Sequence, residues 1–189
     1  NFQFQDRQGN SFFSKSNNII TLGRTTNNLV LINPTGNAAG LTNLPEIYGA
    51  ANYQSNATAT VNPGANTWFL ITNNVSPSDG LTVGWQCVSN AFQYTNSTPS
   101  TGTAVISVTA SVSSSASSDV MAFRLYKNGL PITYSLTRTK SAGVGAMTSA
   151  SMHTITSIST GDYIQIYGMS DGTGNIIVSD LNLTTTMLK

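Results

Sequence analysis

Charge is what this sequence has least of. Asp, Glu, Lys and Arg together make up 8% of its 189 residues, against roughly 25% in an ordinary soluble domain. Glu and Lys are strong helix formers, and Ser, Thr and Asn stand where they would be. Those short polar side chains compete for backbone hydrogen bonds and suit strands and turns better than helices. Composition therefore argues against an α-rich fold. The eight basic residues, Arg7, Lys15, Arg24, Arg124, Lys127, Arg138, Lys140 and Lys189, form no stripe along the sequence. A nucleic-acid partner is not expected, because such binding rests on clustered cations that displace counterions. Cys87 is the single cysteine, which excludes an intrachain disulfide and a thiolate metal cluster. On its alternating run it reads as a small buried hydrophobe. His153 is the single histidine, so a multi-histidine metal site is excluded and no cofactor is expected. No apolar run approaches the roughly 18 residues of a membrane span, so membrane insertion is not expected either. Starting at Asn1 rather than Met, the chain reads as a fragment or a processed product.

What is present is a succession of short strand signals. Residues 1–52 read as a separate N-terminal segment. Asn17-Asn18-Ile19-Ile20-Thr21-Leu22 is echoed ten residues later by Asn27-Asn28-Leu29-Val30-Leu31-Ile32. Each copy is a polar turn and a short apolar strand that needs a neighbour to cover it. Asn33-Pro34-Thr35-Gly36 and the Gly/Ala/Asn-rich stretch through Ala51 read as loop or linker. From residue 53 onward, apolar and polar residues alternate. Ile106, Val108, Ala110 and Val112 interleave with Ser107, Thr109 and Ser111, and Met121, Phe123 and Leu125 with Ala122, Arg124 and Tyr126. Leu130, Ile132, Tyr134 and Leu136 continue the pattern, followed by strands over 152–158, 163–167 and 176–183. Period-two alternation gives each strand one core face. Asn128-Gly129 between two such runs predicts a type I′ hairpin. About eight short strands at this spacing point to an antiparallel sandwich or barrel.

Phe92-Gln93-Tyr94-Thr95 with Gly102 and the strand 105–112, the hairpin Phe123 to Gly129, and Ile158-Ser159-Thr160-Gly161-Asp162-Tyr163-Ile164-Gln165-Ile166 carry a resemblance. Residues 53–189 resemble the trimeric jelly-roll heads of the tumour necrosis factor and complement globular-head type, a shape shared by virus and phage fibre heads and capsid decorations. One departure stands out: Leu181, Leu183 and Met187 occupy the closing strand that is aromatic-rich in complement-type heads. The resemblance implies an all-β antiparallel jelly-roll sandwich behind a β-rich N-terminal shaft or arm. It also implies a homo-oligomer, usually a trimer. Ile164 and Ile166 are expected in the core. Tyr163 and Tyr167 are expected on the opposite face, toward a subunit interface or the outer surface.

Few motifs carry chemistry. Gly168-Met169-Ser170-Asp171-Gly172 matches the Gly-x-Ser-x-Gly elbow of hydrolases, which needs a helix after the serine. Thr173-Gly174-Asn175 and a β-branched run follow instead, so a hairpin turn is the expectation. The carboxylates Asp6, Glu46, Asp79, Asp119, Asp162, Asp171 and Asp180 form no local pair, and most sit beside Gly or Ser, where Asp stabilises turns. Calcium at Asp171 to Asn175 would have too few visible ligands. Asn56, Asn74, Asn96 and Asn182 head glycosylation sequons. Trp68 and Trp85 lie in apolar runs and are expected in the core.

The chain is therefore read as a virion structural protein rather than an enzyme: a fibre or spike head at the virion surface, extracellular. It would assemble with itself and with other virion proteins, and attach to a host-cell receptor or glycan. A capsid shell or minor capsid protein is one alternative, and a secreted carbohydrate-binding module another. Receptor-binding residues are not assigned; the loops 113–119, 137–149 and 170–175 are the candidate segments.

Overall fold

In the computed structural model, residues 2–5, 11–16, 19–22, 47–72, 76–77, 82–96 and 100–188 are described. The chain divides into two compact units, Asn1–Pro45 and Glu46–Lys189. In the first, β1 (Phe2–Gln5), β2 (Ser11–Ser16) and β3 (Ile19–Leu22) form a three-stranded antiparallel sheet in the order β1-β2-β3. The first of the two sequence repeats thus supplies β3; its echo at 27–32 lies outside the described residues.

The second unit is a two-sheet sandwich. One sheet holds β4 (Tyr48–Tyr53), β6 (Ser76–Pro77), β9 (Thr101–Ser114), β13 (Thr148–Ser159) and β15 (Ile176–Leu188), in the order β13-β9-β15-β4-β6. The other holds β5 (Phe69–Leu70), β7 (Trp85–Val88), β8 (Ala91–Tyr94), β10 (Val120–Lys127), β11 (Leu130–Pro131), β12 (Thr137–Lys140) and β14 (Tyr163–Ser170). Its path is β11-β10-β14-β8-β7, with β12 paired to β10 and β5 to β14. All strand pairings are antiparallel. The fold is the all-β antiparallel sandwich that the alternation pointed to, and the jelly roll that the resemblance implied.

The core forms where the inward faces meet. Ile106, Val108 and Val112 from β9 are fully buried, as are Met121, Phe123 and Leu125 from β10, with Phe92, Tyr94, Ile164, Ile176 and Leu183. Each such side chain contributes about 1.5–3 kcal/mol by leaving water. Along β15 the buried positions switch from even (Ile176, Val178) to odd (Leu181, Leu183, Met187). The register shift between Val178 and Asp180 is the cause, because one extra residue reverses which face the later side chains take.

Three local expectations are corrected. The Gly/Ala/Asn-rich stretch expected as linker contains β4, which pairs with β15 through Tyr53↔Leu181 to Tyr48↔Thr186. Its small residues reflect close packing: a Cβ on Gly49 would come within 2.6–2.8 Å of Phe92 and Trp85. The alternating run 130–136 is not one strand. It breaks after Pro131 into a single 3-10 turn at Thr133–Ser135, where Ser135 Oγ takes the Leu125 N–H at 2.8 Å and Tyr134 is left 93% exposed. Thr137–Lys140, expected within a loop, is β12. The Asn-Gly hairpin is as expected, with Asn128 at φ 52° and Gly129 at φ 76°.

Candidate functional site

Three surfaces of the sandwich could act, and each can be built from its residues. The first is one end, where the candidate loops 113–119, 137–149 and 170–175 converge on Asp119. That carboxylate is buried, and its Oδ2 accepts from Ser114 Oγ (3.0 Å), Ser170 Oγ (2.9 Å) and Gly174 N (3.1 Å). Ser114 Oγ accepts in turn from Ala116 N and Ser170 Oγ from Gly172 N. The Asp119 carbonyl takes Ser141 N, and Gly145 N reaches Ser114 O. A buried carboxylate needs such donors to offset its lost hydration. A Cβ on Gly172 or Gly174 would collide with it, so both glycines serve this close approach. The knot fixes loop geometry and leaves no nucleophile free. Ser170, the serine of the Gly-x-Ser-x-Gly match, is fully buried, engaged with Asp119, and followed by a turn and then β15.

The second surface is the outward face of the five-stranded sheet. Its rows follow from the register. Ile155, Val105, Thr186, Tyr48 and Val83 lie side by side across five chain segments. Ser157, Thr103 and Leu188 form the row on one side of it. His153, Ser107, Thr184 and Ala50 form the row on the other, and Ser151, Thr109, Asn182 and Asn52 the one beyond. Ile155 is 58% exposed and Leu188 49%. Among the described residues of these strands, Asp180 is the only formally charged side chain on this face. It borders a hollow of about 470 Å³ that Asn52, Thr109, Ser151 and Asn182 also line. His153 lies in the open, its Nδ1 3.0 Å from Ser107 Oγ.

The third surface is the outward face of the seven-stranded sheet, and it is of another kind. Its rows run Arg138, Ala122, Met169; then Arg124, Tyr167, Leu70; then Tyr126, Gln165; then Tyr163, Gln93, Gln86. Tyr126 stacks on Tyr167 with ring centroids 3.8 Å apart. Trp68 tilts against Tyr126 at 6.4 Å, and the Arg124 guanidinium sits 4.7 Å from the Trp68 ring centre. Burial first, and then the neighbouring Tyr167, push the Tyr126 phenol above its ordinary pKa, against the opposing pull of Arg124. Trp68 is thus half-buried on an outer face rather than in the core where the sequence placed it, whereas Trp85 is in the core. Tyr163 and Tyr167 face outward, opposite buried Ile164 and Ile166, as expected.

Other singled-out residues have structural places. Cys87 packs half-buried against the core, and burial pushes its thiol up to about 11, so thiolate chemistry is suppressed. Asp162 joins two hairpins. Its Oδ1 takes Asn128 Nδ2 at 2.6 Å, its Oδ2 takes Ser159 N at 2.9 Å, and Lys127 Nζ lies at 3.4 Å. Burial pushes its pKa up, but these hydrogen bonds and the lysine outweigh that, so the net shift is downward. The Asn56 amide is tied to Val178 O and Thr58 O, and Asn182 is exposed on the five-stranded face. Asn74, Asp6, Glu46 and Asp79 lie outside the described residues. Asp171 Oδ1 accepts from Val120 N at 2.8 Å. The described residues hold no group of three or more His, Cys, Asp or Glu placed to bind a metal, and no helix long and apolar enough to cross a membrane.

No protein-family model and no curated protein matches the chain. Solved structures do. Eiger TNF from S. frugiperda superposes with a TM-score of 0.51 at 11% identity, covering 77% of this chain and 94% of that one. Murine APRIL at pH 5.0 gives 0.50 at 11% identity, covering 75% and 99%. PRD1 vertex protein P5 gives 0.47 at 10% identity, covering 75% and 96%. At such identities the likeness concerns the fold alone: the sandwich has a jelly-roll fold like those of Eiger TNF and APRIL.

Proposed function

We propose that this chain is a virion structural protein, without catalytic activity, whose head assembles with copies of itself into a closed oligomer, a trimer, at the virion surface. The carrying observation is the outward face of the five-stranded sheet. Exposed Tyr48, Val83, Ile155 and Leu188 gather, with Val105, at one end of a surface made mostly of Ser, Thr and Asn, with Ala50, His153 and Asp180 among them. Isolated apolar residues on a surface are ordinary, but a contiguous row beside uncharged hydroxyls is what an interface uses. Closed symmetry would cover it without leaving an edge. The three-stranded sheet of Phe2–Leu22 fits a shaft or arm, and the sandwich of Glu46–Lys189, which takes in β4, fits the head and attachment part. Light scattering on the full chain tests assembly. A concentration-independent closed oligomer supports it, and a monomer at micromolar concentration sinks it. The second reading, a lone carbohydrate-binding module, is favoured by one observation: Trp68, Tyr126 and Tyr167 cluster on the other outward face.

A further inference from the structure

We infer that the outward face of the seven-stranded sheet binds a carboxylated glycan, with Arg124 as the carboxylate-reading cation. The inference deepens the attachment part of the proposed function and rests on it for its biological role.

The argument begins with charge. Among the described residues of the sandwich the cations are Arg124, Lys127, Arg138 and Lys140. Lys127 is paired with Asp162. The other three stand on β10 and β12 with outward register (Val120↔Lys140, Ala122↔Arg138). No carboxylate stands in the rows of Arg124 and Arg138, and among the described residues none pairs with Arg124; Asp171 lies in the row of Lys140, where its Oδ1 accepts from Val120 N. In a chain with 8% charged residues, two unopposed cations in neighbouring rows of one sheet face form a local concentration of positive charge that a charge-poor surface does not screen. The complement is an anion. A planar guanidinium favours a planar carboxylate, which it can bind bidentately.

Arg124 is also held for this role. Its guanidinium rests over the Trp68 ring, and its Nε is buried with no hydrogen-bond partner. That Nε lies inside the packing, as the unpartnered Trp85 Nε1 does in the core, and is not where a ligand arrives. A guanidinium fixed in place by an indole is preorganised to meet an incoming acceptor with its terminal N–H groups.

The rest of the face selects for sugar. Tyr167 and Trp68 are half-buried and offer apolar ring surface to the C–H face of a pyranose. Next to them a hollow of about 200 Å³ is lined by Gln93, Gln165, Tyr163, Val88 and Ala91. Side-chain amides there can both donate to and accept from hydroxyls. Tyr163 lies four residues along β14 from Tyr167, about 13 Å at strand rise. The site is therefore extended: the cation at one end, amides at the other, and aromatic surface between. That suits an oligosaccharide ending in an acidic sugar better than a free anion.

The test is a titration of the full chain with sialyllactose, a glucuronate-ended oligosaccharide, neutral lactose and a sulfated oligosaccharide. Two signals are followed: the fluorescence and the indole N–H resonances of the two tryptophans. Saturable binding of a carboxylated probe is expected, moving the Trp68 resonance and leaving that of buried Trp85. Arg124→Ala is expected to weaken it about 10- to 100-fold, the range for losing a charged hydrogen bond. Arg138→Ala is expected to weaken it a few-fold; that side chain is exposed, so this variant decides the matter if Arg124→Ala does not fold. The inference is overturned if neither carboxylated probe binds, if lactose binds equally well, or if both variants bind as the parent does. It is equally overturned if only the sulfated probe, an acidic peptide or an oligonucleotide binds. Mass measured on the same samples separates the two readings. An oligomer that ignores glycans overturns this inference alone, and a glycan-binding monomer overturns assembly alone.

Discussion

The two outward faces of the sandwich differ in every property that decides what a surface does. The five-stranded face is long-stranded and almost uncharged, with Ile155, Val105, Tyr48 and Val83 aligned in one row. The seven-stranded face holds unpaired Arg124 and Arg138 among Trp68, Tyr126 and Tyr167. Both faces come from strands with the same period of two, and both back onto the same core. The difference lies wholly in the outward residues, which the fold leaves unconstrained. A jelly roll fixes which residues are free, and the free residues then sort into an almost uncharged face with one apolar row and an aromatic face with cations.

The comparison can be broken in graded ways. The largest effect is expected at the knot, which supports both faces. Asp119→Ala strands two serine hydroxyls and the Gly174 N–H, at a cost of about 2–4 kcal/mol. Denaturant unfolding would show it, and both functions would fall together. Next comes Ile155→Asp, which places a charge in the apolar row. It is expected to dissociate the oligomer by at least about 100-fold, with little change in the monomer's melting temperature and none in glycan affinity per site. Third, Arg124→Ala is expected to do the reverse, leaving mass untouched and losing glycan affinity. Smallest is a pH effect away from both faces. Asp162 has a lowered pKa in the folded state, so its contribution to stability is present above the ordinary carboxylate pKa and is lost as pH falls through the lower, folded value. Asp162→Asn is expected to flatten that acid limb in melts taken across pH, while neither face changes its behaviour at neutral pH.

Much of the fold was legible in the sequence because burial and pleat write the same period. Ile106 to Val112 and Met121 to Leu125 declared their core faces, and Asn128-Gly129 declared its hairpin. β4 was hidden because its residues are small for a packing reason, the approach of Gly49 to Phe92 and Trp85, and small residues also spell linker. The break at Tyr134 was hidden because alternation continued through it while Pro131 and Ser135 diverted the backbone. The surfaces were legible only in part. The candidate loops could be named, but their convergence on Asp119 joins residues 51 and more positions apart. The Trp68–Arg124 contact needs β5 and β10 to flank β14, a topology that local pattern does not carry. Trp68 was assigned to the core because an apolar run does not tell the inner face from a packed outer one.

The measurement that most directly tests this division of labour is the solution mass of the full chain and of Ile155→Asp, by light scattering at micromolar concentration. The account predicts a closed oligomer for the parent and a folded monomer for the variant. A monomer in both, or the same oligomer in both, would contradict it.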